Sequence, residues 1–199
     1  MQLIFQDQIK ELDSPNANRI IEQINEMLGK KYYFSHFVAD GIEVYENHEK
    51  YLNEHANHLE KLEIIGKTVK QFVNDILLST EEYLERATPE LTQLGEAFYD
   101  HPSEEEWSKL DQLLEGLQWL DEMLMAIGKS GEVPTNWSNY ITAAQTMQNE
   151  IHNFAESMEN EDNILIGDII QYEILPIFEE FKNEIKWTMD NEGTRHDLN

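Results

Sequence analysis

Cysteine is absent from all 199 residues of the chain. Without thiols the protein can form no disulfide, use no thiolate nucleophile and hold no cysteine-ligated iron–sulfur cluster. Long apolar stretches are also missing, because no run approaches the ~20 apolar residues that a membrane-spanning helix needs. The opening MQLIFQDQIKEL has no basic segment followed by an apolar one, as a secretory signal would have. We therefore expect a soluble, cytoplasmic protein.

Positive charge is scarce in the chain. There are 14 Lys and Arg against 40 Asp and Glu, which gives a formal net charge of -26. A surface of this sign repels the phosphates of nucleic acids and the headgroups of anionic lipids. Nucleic-acid and membrane partners are therefore disfavoured, and a basic partner protein fits better. The same charge is also what keeps a helical protein in solution, so it does not by itself require a partner.

Recognisable catalytic and metal-binding motifs are missing as well. The nine glycines form neither GxGxxG nor GxxxxGK[ST], and there is no GxSxG or SxxK motif. No histidine has a glutamate three positions before it, so the spacing of di-iron bundles is absent, as is the HExxH motif of zinc proteases. We assign no catalytic, cofactor-binding or metal-binding residue and expect no cofactor.

The N-terminal third alternates between strand and helix patterns. Residues 3–12 alternate apolar and polar side chains, which predicts a strand, and Ser14-Pro15 opens a helix that ends at Gly29. Asp40-Gly41 joins the runs YYFSHFVA and IEVY as a hairpin. A short helix over residues 47–58 and a strand LEKLEII that ends at Gly66 follow. The order β-α-β-β-α-β predicts a small α/β segment over residues 1–67.

The remaining chain shows helical periodicity. We expect helices from Thr68, interrupted or kinked at Thr88-Pro89, then from a capping box at Ser103 to Gly128, from about residue 137 to 158, and through ILIGDIIQYEILPIFEEF. Short loops favour an antiparallel bundle over residues 68–190, followed by a frayed tail over residues 191–199. The predicted fold class is α+β, predominantly α, with the small segment packed on the bundle.

The junction between these parts contains no flexible linker, because Gly66 is followed at once by the next helix. A segment of about 65 residues has a marginal core of its own. We therefore predict that one face of the sheet packs on the helical part and that the chain unfolds as one cooperative unit. The buried set is expected to include Ile64 or Ile65 and some of Phe34, Phe37 and Val44.

Three histidines lie close together in YENHEKYLNEHANHLEK. On a helix, His48, His55 and His58 fall within roughly 80° of one another, so they can converge on a metal ion. The same arc holds Tyr51 and Leu52, and a short helix that buries these residues also places histidines at the margin of its buried face. We favour this structural interpretation and expect the three side chains apart.

Proline and tryptophan positions raise two further hypotheses. Pro176 lies within an otherwise helical pattern, where it frees the carbonyl of Tyr172 and kinks the helix, and such a kink can shape a pocket or simply let the helix follow a curved core. Trp119 lies in a leucine-rich stripe and is expected in the core. Trp137 stands near a loop, where it is either packed or an exposed anchor for a partner.

Three segments resemble a known family. They are DGIEVYENHEKYL, DILLSTEEYLERATPEL with PSEEEWSKLDQLLEGLQWL, and DIIQYEILPIFEEF. Together they resemble an uncharacterised family of acidic, mostly helical bacterial cytoplasmic proteins with no known activity. The resemblance implies a bacterial, cytoplasmic origin and carries over no catalytic residue. In general character the chain is also similar to acidic helical export chaperones that hold flagellar subunits, although it departs from them in its α/β segment.

These features predict a non-enzymatic protein-interaction module, adaptor- or chaperone-like, that holds a basic or amphipathic partner. The partner would lie in a groove between helices or at the open edge of the small sheet. The alternative is a metal-dependent hydrolase that uses His48, His55 and His58. A third hypothesis is mimicry of nucleic acid by the carboxylate surface.

Overall fold

The computed structural model describes residues 1–195, which form two compact units, residues 1–72 and residues 73 onward. The first unit holds a five-stranded sheet with two helices, and the second is helical. The predicted fold class, α+β and predominantly α, is confirmed. No helix within residues 1–195 combines the length and the apolar character needed to cross a membrane.

The elements follow one another along the chain with short connections. In order they are β1 Gln2–Phe5, β2 Gln8–Glu11, α1 Ala17–Leu28, β3 Tyr32–Ala39, β4 Ile42–Val44, α2 His48–His55, β5 Lys61–Thr68, α3 Val69–Phe98, α4 Glu104–Ser130, α5 Trp137–Glu159, α6 Asn163–Asp168, a π-helical segment Ile169–Ile174, and α7 Leu175–Asn191. The strand order in the sheet is β2-β1-β5-β3-β4, and only β1 and β5 run parallel among the described strands.

The predicted single strand over residues 3–12 is corrected to a hairpin of β1 and β2. The chain reverses at Gln6, which has a positive φ of 52°. This reversal pairs Ile9 with Ile4, on the face opposite to the buried Leu3, so Ile9 is 65% exposed. The turn contains neither the glycine nor the asparagine that usually marks a two-residue hairpin, and the alternating pattern therefore continues across it unbroken.

The second hairpin forms where the sequence predicts it. Asp40 and Gly41 have φ values of 46° and 90°, and both must be positive in the type I′ turn that suits the twist of two strands. The carboxylate of Asp40 accepts a hydrogen bond from the N–H of Lys61 at 2.7 Å. The turn is thereby also fixed to the start of β5.

Gly66 does not end the last strand, which continues to Thr68. Its role is close packing, because a Cβ at this position would lie 2.9 Å from a methyl group of Leu28 and 3.0 Å from the ring of Phe5. The absence of a side chain thus lets α1 and β1 approach β5.

The first unit has its own apolar core, built by one face of the sheet with α1 and α2. The face predicted to pack on the helical part was to include Ile64 or Ile65 and some of Phe34, Phe37 and Val44, and of these Phe37, Val44 and Ile64 belong to this core. Ile65 is 37% exposed. Phe37, Val44 and Ile64 therefore already have their apolar partners inside residues 1–72.

In the second unit, α4 begins as predicted. The N–H of Ser103 donates to the carboxylate of Glu106 at 2.8 Å, and the Ser103 hydroxyl accepts from the N–H of Glu105 at 3.2 Å. This capping box satisfies N–H and hydroxyl groups that the first helical turn leaves without partners. The helix ends at Ser130, two residues later than predicted, and its C-cap is Gly131, which has a φ of 86°.

Pro89 does not interrupt α3, although a kink or a restart is predicted there. The helix runs unbroken from Val69 to Phe98 with the proline inside it. Directly before the proline, the hydroxyl of Thr88 donates to the carbonyl of Leu84 at 2.7 Å. The apolar face of the helix is continuous on both sides of the proline, and its burial outweighs the lost hydrogen bond.

The core of the second unit surrounds α5, which packs against α4, α6, the π-helical segment and α7. Its largest fully buried side chains are Tyr140, Phe98, Phe154, Phe178 and Phe181. Of the predicted frayed tail, residues 196–199 lie outside the described residues. Before them, the backbone of Thr194 exchanges two hydrogen bonds with the side chain of Asn74, and Arg195 pairs with Glu81.

Candidate functional site

The structure places the three histidines of α2 and its C-terminal flank in different surroundings. The Nε2–H of His48 donates to the carbonyl of Val44 at 2.9 Å, and its ring packs edge-on against Phe34 and Phe37. His55 is half exposed and lies beside the ring of Tyr51, with ring centroids 4.6 Å apart. Within residues 1–195 no group of three or more histidine, aspartate and glutamate side chains is placed to hold a metal ion.

Trp119 differs from its expected surroundings, whereas Trp137 takes the packed one of its two predicted alternatives. Trp119, expected in the core, is 38% exposed and lies edge-on against Tyr83 at 5.3 Å. Trp137, considered as an exposed anchor, is half-buried and stacks on Tyr140 at 5.6 Å.

A group of exposed apolar and aromatic side chains lies where the end of α3 meets α6 and the π-helical segment. They are Tyr99, Ile164, Leu165 and Tyr172, and together with the half-buried carboxylate of Asp168 among them they form what we call the tyrosine surface. Tyr172 is 68% exposed and Ile164 is 62% exposed. Leu165 and Tyr99 are each 43% exposed. Such a concentration of large exposed side chains is unusual on a surface otherwise dominated by carboxylates.

Two glycines bring these elements together. A Cβ on Gly167 would lie 3.0 Å from the carbonyl oxygen of Gly95 and 3.1 Å from the ring of Tyr99. The backbones of α3 and α6 therefore touch at this crossing, and the ring of Tyr99 lies on the bare glycine. Gln171 secures the contact, because its amide donates to the carbonyl of Thr92 at 2.7 Å.

Next to this crossing, the helix widens into the π-helical segment, which ends two residues before Pro176. The N–H of Leu175 donates to the carbonyl of Ile170, five residues earlier, as in a π-helix. Proline has no N–H, and its ring collides with the carbonyl four residues before it in a regular helix. The predicted kink of a continuous α-helix is thus replaced by a π-helical segment, a feature often found at functional sites.

Tyr99 is held in place by a hydrogen bond. Its hydroxyl donates to the carboxylate of Asp168 at 2.7 Å, across 69 positions of sequence. The negative acceptor favours the protonated phenol, and this hydrogen bond, with a smaller contribution from Tyr172, raises the pKa of Tyr99 to about 12. Tyr99 therefore remains a neutral, fixed aromatic group at any physiological pH.

The chain segment that supplies most of the tyrosine surface carries formal charge of one sign. Residues 130–181 contain ten Asp and Glu and no Lys or Arg. Glu96 and Asp100, which flank Tyr99 on the other side, are also acidic. A molecule that covers these apolar groups therefore meets carboxylates at the rim and no competing cation from residues 130–181.

Sequence reasoning did not find this surface, because its members come from two regions separated by about 65 residues. The available signal was the glycine at positions 95 and 167, each within a helical pattern, where glycine costs stability unless close packing requires it. The aromatic residues alone gave no indication, since Tyr99 and Tyr172 resemble ordinary half-buried positions of a helix.

The fold and this surface define a two-unit α+β protein whose larger, helical unit presents an exposed aromatic patch with an acidic rim. A family model described as "Domain of unknown function (DUF8042)" matches residues 75–184, more than half of the chain, and the chain belongs to this family. The matched range contains every member of the tyrosine surface. The comparisons with curated proteins and with solved structures found no match.

Proposed function

We propose that the protein is a non-enzymatic interaction module, adaptor- or chaperone-like, that holds a basic, amphipathic segment of a partner protein on the tyrosine surface. The observation that carries the proposal is the combination of four large exposed apolar side chains with a purely acidic neighbourhood over residues 130–181. Either feature alone is common. Together they match the apolar face and the basic face of an amphipathic segment.

The apolar part of the surface supplies the binding energy in this proposal. Tyrosine is enriched among the side chains that dominate protein interfaces, because it buries a large area with little loss of conformational freedom. Tyr99 is already fixed by Asp168, so it loses little entropy when a partner covers it. Leu165 and Ile164 extend the apolar area along α6.

The acidic rim supplies selectivity. Lysines and arginines on the polar face of a bound helix would meet Asp168 and the neighbouring carboxylates, which steers association and rejects acidic competitors. The same field disfavours nucleic acid and anionic membranes as partners. A bacterial, cytoplasmic setting completes the proposal, and cell fractionation of the native host tests that part.

The alternative function, a metal-dependent hydrolase at His48, His55 and His58, has no geometry in its favour. The Nε2–H of His48 already donates to a carbonyl, so that nitrogen offers no lone pair to a metal ion.

The test measures binding of a defined probe to the full-length protein. The probe is a fluorescent synthetic helical peptide with leucines on one face and lysines on the other, followed by fluorescence anisotropy. We expect saturable binding. The affinity should fall by about tenfold in Leu165→Ser or Tyr172→Ser, because each variant removes one large apolar contact of the interface. Binding should also weaken as the salt concentration rises.

Ile141→Ser provides the matched control, because Ile141 is another exposed aliphatic residue, 38% accessible, on α5. It should leave the affinity unchanged. A companion peptide with glutamate at every lysine position should not bind. Equal binding of the two peptides, or equal affinity of all three variants, would refute the proposal.

A further inference from the structure

A cleft lies between α3 and α4, within the second unit and apart from the residues of the tyrosine surface. Its volume is about 400 Å³, within the range of cavities that hold small molecules. Leu91, Leu94 and Leu113 form its apolar lining, and each of them is at most 5% exposed. Ala87 leaves room beside them, because a larger side chain there would occupy the opening.

The rim of this cleft gathers positive charge in a unit that has little of it. The chain from residue 73 onward holds only six Lys and Arg, and two of them, Arg86 and Lys109, line the cleft. Lys109 is already paired, since its ammonium group lies 2.9 Å from the carboxylate of Glu105. Glu90, the acidic residue of the lining, also acts on Lys109.

Arg86 differs from Lys109 in its partners. Its Nε donates to the carbonyl of Glu82 at 3.3 Å, and within residues 1–195 no carboxylate lies within ion-pair distance of its guanidinium. By contrast, the guanidinium of Arg195 in the same unit binds the carboxylate of Glu81 with two nitrogens. Arg86 lines the cleft, and its remaining guanidinium donors have no ion-pair partner among the described residues. A planar fork of this kind suits a carboxylate.

Tyr83 also lines the cleft and adds a hydroxyl group to it. Its ring lies edge-on to Trp119, and its oxygen rests against Gly116 so closely that any Cβ there would collide with it. The hydroxyl has no hydrogen-bond partner in the described part of the chain. Burial raises the pKa of Tyr83, so the group stays protonated and can donate.

We propose that the cleft between α3 and α4 binds a small amphipathic monocarboxylate. Its apolar body lies on Leu91, Leu94 and Leu113, and its carboxylate pairs with the guanidinium of Arg86. The charge of the ligand follows from the rim: Lys109 is neutralised by Glu105, and Glu90 repels a second negative group. A single anionic head on an apolar chain is therefore the matching chemistry.

The test compares three probes that share one apolar chain, namely decanoate, decanol and decyltrimethylammonium, below their micelle concentrations. Isothermal titration calorimetry on the full-length protein should show saturable binding of decanoate. Its affinity should be at least about tenfold higher than that of the cationic probe, because only decanoate can form an ion pair with Arg86. A cationic probe that binds as tightly as decanoate, or the absence of saturable decanoate binding, overturns the proposal.

Arg86→Gln identifies the partner of the carboxylate. It should weaken decanoate by about tenfold and leave decanol unchanged, whereas Lys129→Gln, which removes a cation outside the cleft, should change neither. Equal affinity of the wild type and Arg86→Gln for decanoate would exclude Arg86 as the partner.

Ala87→Phe provides a second and independent check, because it fills the cavity without changing its charge. It should abolish binding of decanoate and decanol while circular dichroism and the melting temperature report an intact fold. Retained binding in this folded variant would show that the ligand lies elsewhere. The peptide assay on the tyrosine surface should be unaffected by every cleft variant, so the two proposals can fail separately.

Discussion

The two units of the chain carry very different charge. Residues 1–72 contain 12 Asp and Glu and 8 Lys and Arg, a net charge of -4, whereas the remainder contains 28 and 6, a net charge of -22. Together they account for the -26 of the whole chain. The bulk charge is therefore a property of the helical unit. Inferences drawn from it, including the preference for a basic partner, apply to that unit and not to the sheet.

The two units also differ in what glycine does. In the first unit Gly41 supplies a positive φ for a turn, and Gly66 lets α1 and β1 approach β5. In the second unit Gly95 and Gly167 lie inside helices and permit their crossing. Glycine in the sheet unit thus shapes both the chain path and the packing, while in the helical unit the crossing glycines create the candidate interaction surface.

The largest expected effect compares the two cores directly. Phe37→Ala and Phe154→Ala each remove a ring with 0% exposure, one from each unit, and each should cost about 3–5 kcal/mol of unfolding free energy. If the chain unfolds as one cooperative unit, as the sequence analysis predicts, both variants lower a single transition. Chemical denaturation followed by circular dichroism measures this, with hydrogen exchange to assign the change to each unit.

Tyr45→Ala is the control for this experiment, because Tyr45 is 59% exposed and its loss should change stability by less than about 0.5 kcal/mol. Two separate transitions, with each core variant affecting only its own, would contradict the cooperative prediction.

An intermediate effect is expected where a negative charge stabilises the acidic unit. Hydrogen bonds from Ser103 lower the pKa of Glu106 below its ordinary value of 4.5. A lowered folded-state pKa means that ionised Glu106 contributes stability above pH 4.5, and that this contribution is lost as pH falls through the lower folded value. Glu106→Gln should therefore lower the melting temperature at neutral pH, and the difference from the wild type should vanish in acid.

Glu104→Gln separates capping from charge, since it removes the same charge from the same helical turn but no hydrogen bond of the capping box. We expect it to change the melting temperature less than Glu106→Gln does. Equal losses in the two variants would assign the effect to the helix dipole rather than to the cap.

The smallest expected effect tests the charge difference itself. Salt screens repulsion between exposed carboxylates, so raising sodium chloride from about 0.01 M to 0.15 M shortens the Debye length from about 30 Å to 8 Å. Hydrogen-exchange protection should increase more in residues 73–195 than in residues 1–72, by about 1 kcal/mol or less. An equal increase in both units would show that the net charge of the helical unit does not limit its stability.

Local features of the fold were predictable because their causes lie within a few residues. Ser103 and Glu106 complete a capping box by reaching along one helical turn, and Asp40-Gly41 forms the only kind of turn that suits both residues and their flanking strands. Two of the predictions that needed correction depend on distant contacts. Pro89 remains inside α3, and Trp119 lies at the surface, because packing of the whole helix outweighs the preference of a single residue.

The sequence by itself determined that thiol chemistry is excluded, that the excess of carboxylates lies in the helical part, and that strand patterns precede helix patterns, since composition and periodicity are properties of the chain alone. Only the tertiary structure decided that Tyr99 meets Asp168 and that Arg86 opens onto an apolar cleft without a carboxylate partner. Both depend on the spacing of helices that are joined through other elements or loops. At the first of them, the missing Cβ of Gly167 lets α6 approach Gly95 and Tyr99 closely, which no local preference of the sequence specifies.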